Sequence, residues 1–363
     1  MPHTNKVFFG DCRESMCEMI GLGIKAQTCV TSPPYFGLRD YGHPGQLGLE
    51  STVGEYVANL VTVFRLVREL LADDGVLWLN LGDSYARDAA KGGSGPNGKN
   101  DYMPAYGNAR THLSETRGSS DGAVGRGDRA ALRVGGLGLK PKDLIGIPWR
   151  VALALQADGW YLRQDIIWAK PNPMPESVTD RCTKSHEYLF MLTKNARYYF
   201  DSEAIKEPVA AATVARLSQV NLENQIGSNR VPGKTNGNMK AVRSKSNSFK
   251  REGSKRGQAI PGQAVGTHRP DRAESEYALD TRNRRSVWTI STKPYKGAHF
   301  ATFPPELVEP CVLAGSRPGD VVFDPFLGSG TTAMVAARHG RRWLGCELNE
   351  EYGPLQEERL LKA

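Results

Sequence analysis

Two short segments carry residue types at spacings that can do chemistry. In "TSPPY" (31–35) an apolar run, "AQTCV", is stopped by Pro33 and Pro34. Both prolines fix φ and donate no backbone hydrogen bond, so the chain devotes a rigid turn to presenting the Ser32 hydroxyl and the Tyr35 ring. In "VVFDPFLGSGTT" a β-forming run ends in Asp324, a turn with Gly328 and Gly330 follows, and a helix opens at Thr331. Glycines there let the backbone approach a ligand closely, and the helix N-terminus offers N–H groups to an anion or carboxylate. The next strand, "RRWLGCELN", ends at Glu347, where a carboxylate can accept hydrogen bonds from ribose hydroxyls. A nicotinamide site would want GxGxxG directly after the strand, and a P-loop would carry a lysine in the turn; "DPFLGSGTT" supplies neither.

The elements that must position these segments alternate between strand and helix. "KVFFGDC" reads as a strand and turn, "RESMCEMIGLG" as a short helix, and "AQTCV" as the next strand. Residues 54–71 place Val57, Leu60, Val61, Phe64, Val67, Leu70 and Leu71 at helical spacing, "ADDG" closes that helix, and "VLWLNLGD" is a buried strand. The segment 141–162 reads mostly as helix and "RQDIIWAK" as a strand, after which "HEYLFMLTK" and "RYYFD" form a hairpin-like pair. Further on come "VWTI", a turn-rich link, a helix over 303–315, the strand 320–326, the helix 331–340, the strand ending at Glu347 and a polar final helix. The pattern predicts an α/β fold with a mostly parallel sheet.

Composition limits the partners. The 363 residues suffice for a full core, no apolar run approaches the ~20 residues that span a bilayer, and the N-terminus lacks the apolar stretch of a signal peptide, so a cytoplasmic home is expected. The six cysteines are scattered with no CxxC pair, which predicts reduced thiols and no metal site. The chain carries a net charge of +8, and residues 211–290 hold 15 Lys and Arg against 6 Asp and Glu, so the basic excess is confined to one segment. That is the footprint of a polyanion-binding insertion on a near-neutral body. Lys234, Lys240, Arg243, Lys245, Lys250, Arg251, Lys255 and Arg256 are its candidate DNA contacts, to phosphates before bases.

"FDPFLGSGTT" resembles the S-adenosylmethionine motif of amino-group DNA methyltransferases, and "TSPPY" resembles their catalytic motif. The order, catalytic motif first and cofactor motif near the C-terminus, resembles the permuted beta class, whose target-recognition region lies between the two. The resemblance implies a Rossmann-like S-adenosylmethionine-dependent fold with these divisions: a catalytic half over 1–86, a Gly-rich loop over 87–140, continued core over 141–210, a basic recognition insertion over 211–286, and a cofactor half over 287–363. It also implies that Asp324 and the turn of Gly328, Ser329 and Gly330 hold the methionine portion, that Phe326 packs on the ligand, that Glu347 binds the ribose, and that Thr31, Pro325, Thr331 and Thr332 belong to the same cofactor site. Asp11 in "FFGDC" is similar to the acid placed near the adenine ring.

The implied chemistry is methyl transfer from a sulfonium to an exocyclic amine whose lone pair is delocalised into the ring. Ser32 Oγ and the Pro33 carbonyl are suited to accept hydrogen bonds from that amine, Pro33 and Pro34 hold them rigid, and Tyr35 offers an aromatic face to a flipped base. In the resembled family serine before the proline pair favours cytosine N4, with adenine N6 as the alternative; a catalytically silent DNA-binding protein is the reading from another class. Cytosine-C5 methylation needs a nucleophilic cysteine, and Cys311, in Pro-Cys-Val within a predicted helix, reads as core. Asn80 and Asp83, at a strand end, are either pocket lining or caps; Trp168, Lys170 and Pro171 follow another strand end, and His186 with Glu187 reads as structural. Double-stranded DNA is the expected partner in a bacterial or phage setting, and a cognate restriction endonuclease and a homodimer are left open.

Overall fold

The computed structural model describes residues 4–38, 42–43, 45–86, 138–210, 212, 281–292 and 303–361. The eight DNA-contact candidates between Lys234 and Arg256, and nearly all of the 87–140 and 211–286 segments, lie outside the described residues. The chain divides into two compact units, residues 1–204 with 285–363, and residues 205–284. In the second unit, strands β6 (Glu207–Pro208) and β7 (Thr281–Arg282) pair antiparallel, and Arg282 Nε donates to Glu207 Oε1 at 2.9 Å.

The first unit is built on an eight-stranded sheet. In chain order its strands are β1 (Lys6–Phe9), β2 (Ala26–Thr31), β3 (Leu71–Leu81), β4 (Tyr161–Ala169), β5 (His186–Thr193), β8 (Val287–Thr289), β9 (Val321–Asp324) and β10 (Arg342–Glu347). Their spatial order is β1-β10-β9-β2-β3-β5-β4-β8. Every neighbouring pair is parallel except those of β5, which runs against both β3 and β4. Helices cover both faces. On one, α1 (Cys12–Gly21), α2 (Val53–Leu70) and α3 (Ile147–Ala157) bury Met16, Met19, Tyr56, Leu60, Phe64, Val67, Val151 and Leu155. On the other lie α4 (Pro305–Gly315), α5 (Thr331–Arg338) and the final helix α6 (Gly353–Leu360). This is the expected α/β fold with a mostly parallel sheet.

Local chemistry sets the boundaries. Thr52 caps α2 through the Glu55 N–H at 3.1 Å while the Glu55 carboxylate returns to the Thr52 N–H at 3.2 Å, a reciprocal capping box. β2 is buried along its whole length, as a central parallel strand covered on both faces must be. Among the described residues no helix is long and apolar enough to cross a membrane.

Three expectations fail. "ADDG" does not close α2: the helix ends at Leu70 and residues 71–75 already belong to β3, whose Leu71 pairs with Ala26. Helix occupies 147–157, less of 141–162 than its apolar content suggests, because Asp158 and Gly159 turn the chain into β4 at Tyr161. "RYYFD" is not a strand, since both edges of β5 are taken by β3 and β4; instead the Tyr199 N–H donates to the Asp74 carbonyl at 2.9 Å. "VWT" proves to be edge strand β8, paired with β4.

Chain connections leave β9 toward β10 and leave β2 toward β3, in opposite directions across the sheet, so the β9/β2 seam is the topological switch point. Ligands of open α/β sheets bind in the crevice beyond the strand C-termini at such a point. Close packing on β10 supports the turn that follows β9: the Leu327 N–H donates to the Cys346 carbonyl at 2.9 Å, and a Cβ placed on Gly345 would stand 2.6 Å from Leu327 Cδ2 and 3.0 Å from its Cβ. Gly345→Ala should therefore cost about 1–3 kcal/mol by overpacking and displace the 325–330 turn. Thermal unfolding together with S-adenosylmethionine titration checks this; loss of stability with unchanged affinity would show that the turn does not depend on this contact.

Candidate active site

At the switch point the last residue of β2 meets the last residue of β9. Thr31 Oγ1 donates to Asp324 Oδ1 at 2.6 Å, and Thr332 Oγ1, in the first turn of α5, donates to Asp324 Oδ2 at 2.7 Å. The Phe326 N–H completes the set on Oδ1 at 3.0 Å. Asp324 is only 1% exposed. Burial raises its pKa to about 6 against the three donors, which pull the other way. A buried carboxylate whose ionisation is opposed by desolvation is stabilised by a cationic ligand, so the charge demand of this crevice suits a sulfonium.

The turn 325–330 continues the site. Gly328 and Gly330 sit at φ +54° and +84°, a region L-residues rarely adopt, and the Gly328 N–H donates to Glu347 Oε2 at 2.7 Å. Glu347 Oε1 accepts from the Asn349 N–H at 2.9 Å, and burial pushes this carboxyl up as well. The Leu348 N–H bears on the same carboxylate, which keeps room for one further hydroxyl donor. Pro325 is buried and Phe326 is partly exposed, packed against the core. Ser329 and Thr331 are buried, and both hydroxyls are engaged by Arg359 of α6, at 2.7 Å for Ser329, while Gln356 Nε2 donates to the Gly328 carbonyl at 2.7 Å. Arg359 and Gln356 thus brace the turn from behind. Sequence reasoning passed over both because α6 reads only as a polar terminal helix. Asp11, at the end of β1, caps α1 through the Arg13 N–H at 2.8 Å and forms an ion pair with the Arg13 guanidinium, which holds its carboxyl below the usual range.

One residue from Thr31, the catalytic-motif turn begins. The Pro34 carbonyl accepts from Tyr56 Oη of α2 at 2.8 Å, whereas no described residue donates to the Pro33 carbonyl. Ser32 is partly exposed and Pro33 buried. The Tyr35 ring lies against Gly82, where a Cβ would come within 2.5 Å of its Cε2. The hydroxyl end of Tyr35 is buried and donates to Glu187 Oε2 at 2.8 Å and to Asn80 Oδ1 at 3.1 Å. Burial first, and the Glu187 charge second, push the phenol well above its usual pKa, opposed by a bond from the Ser32 hydroxyl.

Asn80 is thus joined to Tyr35, while Asp83 serves as a cap: its Oδ1 accepts from the Gly146 and Ile147 N–H groups, both at 3.0 Å, at the start of α3. Glu187 and Lys170 form an ion pair at the same edge, and the Glu187 carboxylate reaches the Tyr35 hydroxyl. Cys311 is core as expected, fully buried with Sγ 3.3 Å from the Leu307 carbonyl. Among the described residues no group of His, Cys, Asp and Glu could hold a metal ion.

Comparison with known proteins agrees with this geometry. The model of the N6 and N4 DNA methylase family matches residues 26–358. The chain is 42% identical to the type II methyltransferase M.SmaI of Serratia marcescens over 98% of its own length and 91% of the relative's. It is also 42% identical to M.Cfr9I of Citrobacter freundii, over 91% and 80%. The structure of the PvuII cytosine-N4-specific DNA methyltransferase aligns with a TM-score of 0.53 at 16% identity, covering 98% of this chain and 86% of that one, which shows the fold.

The raised Asp324 pKa has a consequence for stability. Its protonated form favours the fold fully below pH 3.8, and that contribution is lost as pH rises through about 6, so near neutrality the buried charge destabilises the free protein. Asp324→Asn buries no charge, and Thr332 Oγ1, 3.2 Å from the Val30 carbonyl, can turn its proton there and accept from the new amide. Without ligand, Asp324→Asn should be more stable than the wild type at pH 8, by up to about 3 kcal/mol, with the gap closing toward pH 4. Melting curves across this range check it; a variant less stable at pH 8 would contradict it.

Proposed function

The chain belongs to the N6 and N4 DNA methylase family, and from that premise we propose that it methylates the exocyclic N4 of cytosine in DNA, at a base flipped out of the duplex. The methyl donor is S-adenosylmethionine, which when bound supplies an electrophilic methyl group on a sulfonium. The carrying observation is the Thr31–Asp324 hydrogen bond of 2.6 Å, which fixes the amine-accepting turn beside the carboxylate of the donor crevice. Two rigid elements joined through one buried bond place amine and methyl in a set relation, which is where most of the gain in such a displacement arises.

Asp324, the 328–330 turn and Glu347 would hold the donor: a negative charge for the sulfonium end, backbone groups at the N-terminus of α5, and a carboxylate with room for a ribose hydroxyl. Ser32 Oγ accepts a hydrogen bond from the amino group, which localises the nitrogen lone pair and aims it at the crevice. The Pro33 carbonyl is the second acceptor. Tyr56 pins the neighbouring Pro34 carbonyl, so the turn resists reorientation when the base arrives. Tyr35, with its hydroxyl tied down, offers its ring to the base.

Cytosine is favoured over adenine because a neutral serine stands before the proline pair. Asp11 takes the adenine end of the donor by resemblance, although its carboxylate also caps α1. The basic segment 211–286, Lys234 to Arg256 in particular, supplies phosphate contacts and target recognition. A cognate restriction endonuclease and a homodimer belong to the same proposal, as does a bacterial cytoplasmic setting.

Incubation with unmethylated DNA and S-adenosylmethionine, followed by mass spectrometry of the nucleosides, should give N4-methylcytosine. N6-methyladenine would overturn the serine argument and leave the rest standing. No methylated base across DNA of varied sequence would overturn the activity.

A further inference from the structure

Behind Tyr35 lies a buried charged network that no step above uses. Lys170, just past the end of β4, is 7% exposed and forms an ion pair with Glu187, whose side chain is 12% exposed. The Lys170 ammonium also sits 4.2 Å from the centroid of the Trp168 ring. The other carboxylate oxygen, Glu187 Oε2, accepts from Tyr35 Oη at 2.8 Å and from Asn80 Nδ2 at 3.3 Å. Asn80 Nδ2 also donates to the Tyr188 carbonyl at 3.1 Å, and Asn80 Oδ1 accepts from Tyr35 Oη at 3.1 Å. The reversed direction of β5 creates this arrangement. It brings His186 opposite Ala169 and Glu187 opposite Trp168, so the start of β5 lies at the C-terminal edge of its parallel neighbours.

A buried ion pair of this kind is poor evidence for stability, because desolvation offsets most of the attraction. Its geometry here is directed: one oxygen faces the Lys170 ammonium, and the other faces the hydroxyl of the one aromatic ring in the catalytic motif. We propose that Glu187, paired with Lys170, is a positioning residue that fixes the Tyr35 ring and Asn80 in the orientation needed to receive the flipped base. This rests on the reading of Tyr35 as the face that meets the target base. The shift of the Tyr35 phenol to higher pKa supports it, since the hydroxyl stays a donor to Glu187 across the working range.

The role requires an acceptor oxygen held facing Tyr35. Removing the cation leaves the Glu187 carboxylate buried without its partner, which is strongly unfavourable and releases it from Tyr35. The other titratable groups bearing on it are Lys184, whose Nζ donates to the Asp83 carbonyl at 2.9 Å, and His186. Burial lowers the His186 pKa, so it stays neutral between pH 7 and 9 and does not confuse the readout.

The test measures methyl incorporation into DNA from pH 7 to 9 for the wild type, Glu187→Gln, Lys170→Met and the double variant, with S-adenosylmethionine affinity as the control for folding. In Lys170→Met, kcat should be at least tenfold below wild type across this range, with donor affinity within twofold. Glu187→Gln should also lose kcat at least tenfold. Should either single variant fail to fold, the double variant, which buries no lone charge and keeps an amide oxygen facing Tyr35, decides: a kcat that recovers supports the role, and one that stays tenfold below wild type overturns it. Wild-type kcat and pH profile in both single variants would overturn the proposal while leaving the methyltransferase reading intact. An inactive wild type would overturn both.

Discussion

One buried hydrogen bond ties the site together. Thr31 ends the central strand and Asp324 ends its neighbour, and the 2.6 Å bond between them lies where the chain connections diverge. Every group proposed to face the methyl donor is linked to Asp324: the 325–330 turn, α5 through Thr332, and Glu347 through the Gly328 N–H. Every group proposed to face the acceptor base follows Thr31: Ser32, the proline pair and Tyr35. The two chemical halves are 293 residues apart in sequence and separated by a single hydroxyl in space.

The cost of this arrangement is electrostatic. A carboxylate at 1% exposure with a pKa of about 6 is held against its own desolvation by three donors, one of them Thr31. The free enzyme therefore carries a destabilised charge that a cationic ligand relieves, a stability–function conflict common at sites where groups are held ready for a transition state. The acceptor side solves the same problem differently, pairing Glu187 with Lys170 so that the charge near Tyr35 stays satisfied.

Much of this was legible in the sequence. The strand–turn–helix "VVFDPFLGSGTT", the proline-stopped strand at Thr31 and the strand end at Glu347 are local signals, and local signals set element type and the ends of strands. The parallel sheet follows from alternation. What the sequence could not convey was direction. "HEYLFMLT" reads as a strand either way, and only pairing shows that β5 is reversed, which moves Glu187 from the far edge of the sheet to the edge that holds Tyr35. The same limit hid Arg359 and Gln356, whose partners lie about 28–30 residues back across a helix and a strand. Asp83 went the other way: its position beside Asn80 suggests the pocket, but the start of α3, more than sixty residues later, claims its side chain.

The measurement that bears most directly on the central bond is Thr31→Val, a nearly isosteric loss of the hydroxyl. Calorimetric titration with S-adenosylmethionine between pH 5 and 8 should show wild-type affinity falling as pH drops through about 6. With one donor to Asp324 gone, that midpoint should move to higher pH, and methyl transfer to DNA should fall with it. Unchanged affinity, an unmoved midpoint and unchanged transfer would contradict the account, because the two halves would then be joined by something other than this bond.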